Sequence, residues 1–418
     1  MKKTRIRVVL HYLKLCIQWT GFSVLTGAAC GCVGGAFCLF VQWANELRGQ
    51  HPRILFLLPA AGLLIVALYR MFGITEDKGT DLIFDSVRGR EDIPFQVIIV
   101  SFLSTIFTHL FGGSAGRVGV AMQMGGGISH IFSRRFKLSD KDKSLFVMCG
   151  MAGLISALFG SPLMATFLSM EVVSVGVIYY AALLPCLISA LTSYFITRLL
   201  GLAPMHYDLA LIPNVNAASV FRVGVLALAC ALVSMLFCAF MMLWGRMAKK
   251  YVKNPYLRVV AASACIILLT LLLGNQDYNG SSASLLNQAL LYGSTHPYDF
   301  LFKILFTGIT LQSGYKGGAV YPALIIGATF GCWLGPILGL PATFAAAIGM
   351  IAVFCGAVNC PIASICFAAE VFGAHSLVLF AIAAAVSFVF SGYLTIFPGQ
   401  HFIYSKIRMD YKNSSLRD

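Results

Sequence analysis

The sequence predicts an all-α polytopic membrane protein, built as two inverted halves with discontinuous, tilted helices. Composition, the placement of positive charge and an internal repeat predict it. Of 418 residues, 59% are hydrophobic and only 11% charged, with a mean hydropathy of +0.84. Soluble domains carry about 25% charged residues, so too few polar side chains remain here to cover a water-facing surface. A soluble enzyme, a secreted disulfide scaffold and a disordered chain are thereby excluded.

Thirty Lys and Arg against 16 Asp and Glu leave a net charge of +14. The cations sit at segment ends: Lys2 to Lys14, Arg134 to Lys143, Arg246 to Lys253 and Lys406 to Arg417. Basic residues in short loops mark the cytoplasmic side, which places both termini there, in the cell membrane. No basic stretch interleaves with aromatics outside the apolar runs, so nucleic acid is not a partner. The lipid bilayer is.

The chain opens with a basic, amphipathic stretch over 1–19, read as a cytoplasmic helix on the membrane surface. Apolar segments follow at 20–46, 54–73, 95–112, 145–158, 162–200, 218–245, 258–274, 301–312, 319–357 and 361–396. A crossing needs about 20 apolar residues, and several of these runs are shorter, others longer but broken by Gly and Pro. Such pieces predict discontinuous transporter helices, and the 40 glycines predict close helix contacts. The 13 cysteines lie mostly inside apolar runs, with no CxxC pair and no metal-ligand spacing. No metal, cofactor or enzymatic activity is expected: there is no HExxH and no pair of carboxylates in one segment.

The repeat is the most informative feature. Residues 150–172 align without gaps on 349–371, matching Gly150, Met151, Pro162, Glu171 and Val172 to Gly349, Met350, Pro361, Glu370 and Val371. Upstream, GRVGVAMQMGG from Gly116 pairs with GAVYPALIIGA from Gly318. The offsets, 349 − 150 = 199 and 318 − 116 = 202, differ by three residues. Two halves of broken helices predict a site at the membrane midplane between them.

Each half also carries a glycine-rich turn before an apolar helix: Gly112 to Val120 and Gly314 to Pro322. Glycine lets backbone N–H groups be approached closely, and a helix N-terminus adds partial positive charge. Two such ends aimed at one point make an anion site that holds its ion weakly enough to release it. The plainer reading of each turn alone is tight packing.

AGRVGVAMQMGG resembles the GREGP…QxGG signature of the CLC family of chloride channels and proton-coupled anion antiporters. GGAVYP resembles that family's GxFxP segment, residues 150–172 its following helix pair, and the similarity runs in order over 20–410. The resemblance is to the prokaryotic type without a regulatory cystathionine-synthase-like pair, and Lys316 in GYKGG is similar to the fluoride-transporting branch. It implies a homodimer with one pathway per subunit for chloride, fluoride or both. The halves are then 20–212 and 213–398, followed over 399–418 by a pore-approaching helix and cytoplasmic tail. Backbone groups around Gly116, Arg117, Val118 and Gly119 and around Ala319 and Val320 would hold the anion. Gly79, Thr80 and Tyr404 would line the inner end, unless Thr80 only caps a helix and Tyr404 only anchors at the interface.

The departures bear on mechanism. Val118 stands where family antiporters carry a gating glutamate, and Val172 where they carry an inner proton acceptor. Neither has a titratable group, so the resemblance with these changes implies passive, channel-like conduction. The alternative is a proton-coupled antiporter using Glu171 or His109, and a non-transporting relative is the remaining reading. Glu171 and Glu370 occupy equivalent repeat positions, which favours a structural role at helix ends. His109 reads first as a hydrogen-bonded buried histidine. Lys316 either attracts anions or pairs with a carboxylate. Gly79-Thr80 and Val320 replace a methionine and a threonine of the fluoride branch, so the preferred halide stays open.

Overall fold

The computed structural model of the chain describes residues 2–74, 78–408 and 410–416, the first eleven of them by backbone alone. The first half comprises α1 (Lys2–Gln50), α2 (Leu58–Met71), α3 (Asp81–Val87), α4 (Gln96–Leu110), α5 (Val118–Arg135), α6 (Asp140–Phe159), α7 (Pro162–Glu171) and α8 (Leu183–Leu199). The second comprises α9 (Ala217–Tyr251), α10 (Pro255–Leu273), α11 (Ala283–Asn287), α12 (Asp299–Gln312), α13 (Val320–Ile337), α14 (Ala342–Val358), α15 (Pro361–Phe372) and α16 (Leu377–Phe390). Seven helices among the described residues are long and apolar enough to cross a membrane, and four apolar ones of 10–17 residues are shorter. The protein is a multi-pass, all-α membrane protein with broken helices. The long runs at 162–200, 319–357 and 361–396 each divide in two.

Local chemistry sets the breaks. Ser139 caps α6 by accepting from the Asp142 N–H, and Gly160 ends it at φ 65°. Asn216 and Ser219 form a capping box at α9. Asn254 caps α10 ahead of Pro255, and Gly274 closes it at φ 69°.

The core is held by backbone contact between glycines. α5 crosses α6 where a Cβ on Gly150 would land on the Gly125 carbonyl, and one on Gly125 on the Gly150 carbonyl. α13 crosses α14 the same way through Gly327 and Gly349. The pairs are related by the repeat offsets, 327 − 125 = 202 and 349 − 150 = 199. Small residues one helical turn apart allow this closeness, and Gly327, Gly331 and Gly335 form such a row on α13.

Two expectations at the chain ends change. No break separates residues 1–19 from the first apolar segment, because α1 runs unbroken to Gln50. The side chains of residues 1–12 that carry the amphipathic reading lie outside the described residues. At the other end, a strand pair replaces the pore-approaching helix. β1 (Ser174–Val175) pairs in parallel with β2 (His401–Tyr404), which pairs antiparallel with β3 (Tyr411–Ser415). The backbone just after α7 offers His401 and Phe402 a strand edge, and the β-rich HFIY segment takes it.

Candidate functional site

The two glycine-rich turns meet. The Gly116 N–H donates to the Gly318 carbonyl at 2.8 Å, and the Gly318 N–H to the Gly116 carbonyl at 2.7 Å. This antiparallel bridge sets the N-termini of α5 and α13 against each other. A Cβ on Gly318 would lie 2.6 Å from the Gly119 nitrogen and 2.9 Å from that of Val118, so only glycine fits. Gly112 and Gly314, 202 residues apart, enter their turns at φ 88° and 126°, conformations that favour glycine.

Intrahelical bonding starts with Ala121 N–H to Arg117 carbonyl in α5 and Ala323 N–H to Ala319 carbonyl in α13. The N–H groups of Val118, Gly119, Val120, Val320 and Tyr321 therefore have no acceptor within their helices. Pro322 has no N–H at all, so α13 offers one donor fewer. Together the ends supply partial positive charge.

A cavity of about 680 Å³ opens beside the bridge. Gly79, Thr80, Gly119, Val120, Gly317, Gly318 and Ala319 line it, with Gln123 one turn further along α5. Thr80 is close in: a Cβ on Gly119 would lie 3.4 Å from Thr80 Cγ2 and 3.5 Å from Gly318 Cα. Thr80 sits at the N-cap of α3 but makes no side-chain cap bond, so capping does not account for its hydroxyl. Among the described residues, Arg70, Lys78, Lys249, Arg258 and Lys316 also line the cavity, with the carboxylate of Asp81. Long-range attraction there favours anions. Lys316 Nζ lies 4.3 Å above the Tyr69 ring, a cation–π contact.

Other expected residues lie elsewhere. Gly116 and Arg117 form the bridge and the α5 N-cap without lining the cavity. Val118 and Val320 are fully buried beneath the helix ends. Tyr404 does not line the cavity: it is 44% exposed and its ring lies 6.0 Å from that of Tyr411. Period-two alternation would put it on the buried face with Phe402, but a register shift between them turns it out. Ile396, Phe397 and Pro398 line the cavity in its stead. The Gly399 N–H donates to Asp81 Oδ1 at 2.8 Å, and Phe397 packs edge-to-face on Phe84 at 5.6 Å, which ties this segment to α3. His109 is fully buried near the end of α4, away from the cavity lining, and Arg48 Nη1 donates to its carbonyl at 2.9 Å.

The two intramembrane glutamates are crossed caps. Glu171, at the end of α7, accepts from the Ile362 and Ala363 N–H groups of α15 at 3.3 and 2.9 Å. Glu370, near the end of α15, accepts from the Leu163 and Met164 N–H groups of α7 at 2.8 and 2.9 Å. Both helices start with proline at N1, and neither Ser161 nor Cys360 provides a side-chain cap. Each half thus caps the other with a carboxylate, a charge-assisted bond at a helix N-terminus. Glu171→Ala and Glu370→Ala are expected to cost similar stability, about 1.5–3 kcal/mol each. Matched drops in melting temperature of the detergent-solubilised protein would show it; a large drop for one alone would break the symmetry.

Sequence reasoning assigned no site role to Arg70, Lys249, Arg258 and Phe397, nor to Gln123, although Gln123 stands in the quoted signature. Gln123 had a signal, lying four residues after Gly119 and so on the same helical face. The cations come from segment ends that only the fold brings together.

A sequence profile described as voltage gated chloride channel matches residues 61–392. A Chloride/fluoride channel protein from Pseudomonas syringae pv. tomato is 32% identical, over 97% of this chain and 91% of its own length. A crystal structure of a CLC-type fluoride/proton antiporter superposes with a TM-score of 0.89 at 31% identity, covering 92% of this chain and 98% of that one. A slow cyanobacterial Cl−/H+ antiporter shares the fold, with a TM-score of 0.77 at 19% identity over 89% of this chain and 94% of that one. With a family model matched over most of its length and a relative at 32% identity spanning nearly all of it, the chain belongs to the voltage gated chloride channel family.

Proposed function

We propose that the protein passes chloride, fluoride or both across the membrane through the bridged N-termini of α5 and α13, passively and without obligatory proton exchange. The observation that carries this is the cavity at the bridge, lined among the described residues by five cations and one carboxylate, with glycine backbone from both turns. An anion there meets the N–H groups of two helix N-termini and a cation-rich approach. We read the cavity as the cytoplasmic vestibule, since Lys249, which lines it, belongs to the basic run Arg246 to Lys253. We place the protein in the cell membrane as a homodimer with both termini cytoplasmic.

Three features support the absence of coupling. Val118 buries an aliphatic side chain at the α5 N-terminus, Val172 is buried after α7, and the Glu171 carboxylate is engaged as a cap. Coupled exchange is the second reading, favoured by the likeness to the fluoride/proton antiporter at 31% identity. Its proton carrier would be Glu171 or His109.

Purified protein in liposomes, followed by fluoride, chloride and pH electrodes, separates the two. Halide efflux that depends on valinomycin, with no proton uptake, is the expected result. Proton uptake driven uphill by the halide gradient would replace passive conduction by exchange. Glu171→Gln should leave halide efflux in place under the first reading and abolish proton movement under the second.

A further inference from the structure

Gln123 has a feature that the bridge alone does not explain. It is 3% exposed, yet it borders the cavity one turn below Gly119. Its Oε1 accepts from Ser101 Oγ at 3.0 Å. Ser101 Oγ lies 3.3 Å from the Tyr69 hydroxyl, so Tyr69 can donate to Ser101 and Ser101 to Gln123. With its oxygen engaged, the amide turns its nitrogen toward the Gly79–Thr80 turn: a Cβ on Gly79 would sit 3.9 Å from Nε2. A primary amide carries two N–H donors on that nitrogen. The repeat does not ask for this residue, because its counterpart on α13 is the buried Ile325 (123 + 202 = 325).

We propose that Gln123 is a specificity-determining ligand: its Nε2 donates to the anion in the cavity, and the Tyr69–Ser101 relay holds the amide in that orientation. The inference rests on the transport reading above and deepens it. An oriented N–H donor favours the smaller, harder halide, which accepts hydrogen bonds more strongly and needs more of its lost hydration replaced. Gln123 thus biases the cavity toward fluoride over chloride. Ser101 acts through the amide and is a positioning residue.

The test is paired fluoride and chloride efflux from liposomes holding wild type, Gln123→Met or Ser101→Ala. Methionine keeps length and apolar packing but removes the donor. The fluoride-to-chloride rate ratio should fall about tenfold in Gln123→Met while chloride efflux persists, which also shows that the variant folds. In Ser101→Ala the ratio should fall in the same direction by about threefold, because the amide is loosened rather than removed. Efflux at the wild-type ratio in Gln123→Met overturns the proposal. Should that variant not fold, an unchanged ratio in Ser101→Ala overturns it. Wild-type liposomes that pass neither halide remove the transport reading, and this inference with it.

Discussion

Gly318→Ala is expected to abolish halide efflux while leaving most of the fold standing. The added methyl would lie 2.6 Å from the Gly119 nitrogen and 2.9 Å from the Val118 nitrogen. Both neighbours are backbone, so neither can swing aside as a side-chain tip would. The bridge must open, and with it the two helix ends lose their common aim. Displacing aligned donors by about an ångström costs on the order of a hundredfold in rate. Gly224→Ala is the control: it lies within α9 with nothing inside 4 Å of the new methyl, so efflux should be unchanged. Stability there should rise by about 0.5–1 kcal/mol from helix propensity. Wild-type efflux from Gly318→Ala would mean that the bridge is not on the anion's path.

Gly150→Val is expected to abolish folding, and Gly349→Val should do the same. The first substituent carbon already meets the carbonyl of the facing helix, Gly125 in one half and Gly327 in the other. Relief requires α5 and α6, or α13 and α14, to move apart along a buried seam, a cost above about 4 kcal/mol. Size-exclusion chromatography of the detergent extract should show no monodisperse peak for either variant. Gly153→Ala offers a graded comparison. Its methyl would lie 2.8 Å from the Ser189 hydroxyl, a rotatable group, so a shifted melting temperature rather than loss is expected. A normal peak and melting temperature for Gly150→Val would contradict the close crossing.

How far the sequence disclosed these features depends on the physics behind each. The repeat and the two glycine turns were legible because a close backbone approach permits one residue type, and that leaves a mark at fixed spacing. The equal positions of Glu171 and Glu370 pointed to helix ends, but not to the helix of the opposite half: partner choice is a property of the assembled fold. Tyr404 was misplaced because a single register shift in β2 reverses which face a residue occupies, and nothing in HFIY announces it. The cavity's cations are farther still from sequence reasoning. Arg70, Lys249 and Arg258 stand at the ends of three different helices, and each alone reads as an ordinary basic flank.

The crossed caps impose an order on how the chain is made. The α7 N–H groups wait for Glu370, 207 residues downstream of Leu163, and α15 waits for no one, because Glu171 is already in place when Ile362 arrives. At translation rates of about 5–20 residues per second, α7 therefore remains uncapped for roughly ten to forty seconds. During that interval two backbone donors near the membrane interior have no protein acceptor, and the insertion machinery or the headgroup layer must shelter them. The second half acts on the first as a late-arriving ligand, one that closes it only when synthesis is almost finished. Expressing the halves as separate chains would turn that intramolecular closure into a bimolecular one, with assembly set by their concentration in the bilayer.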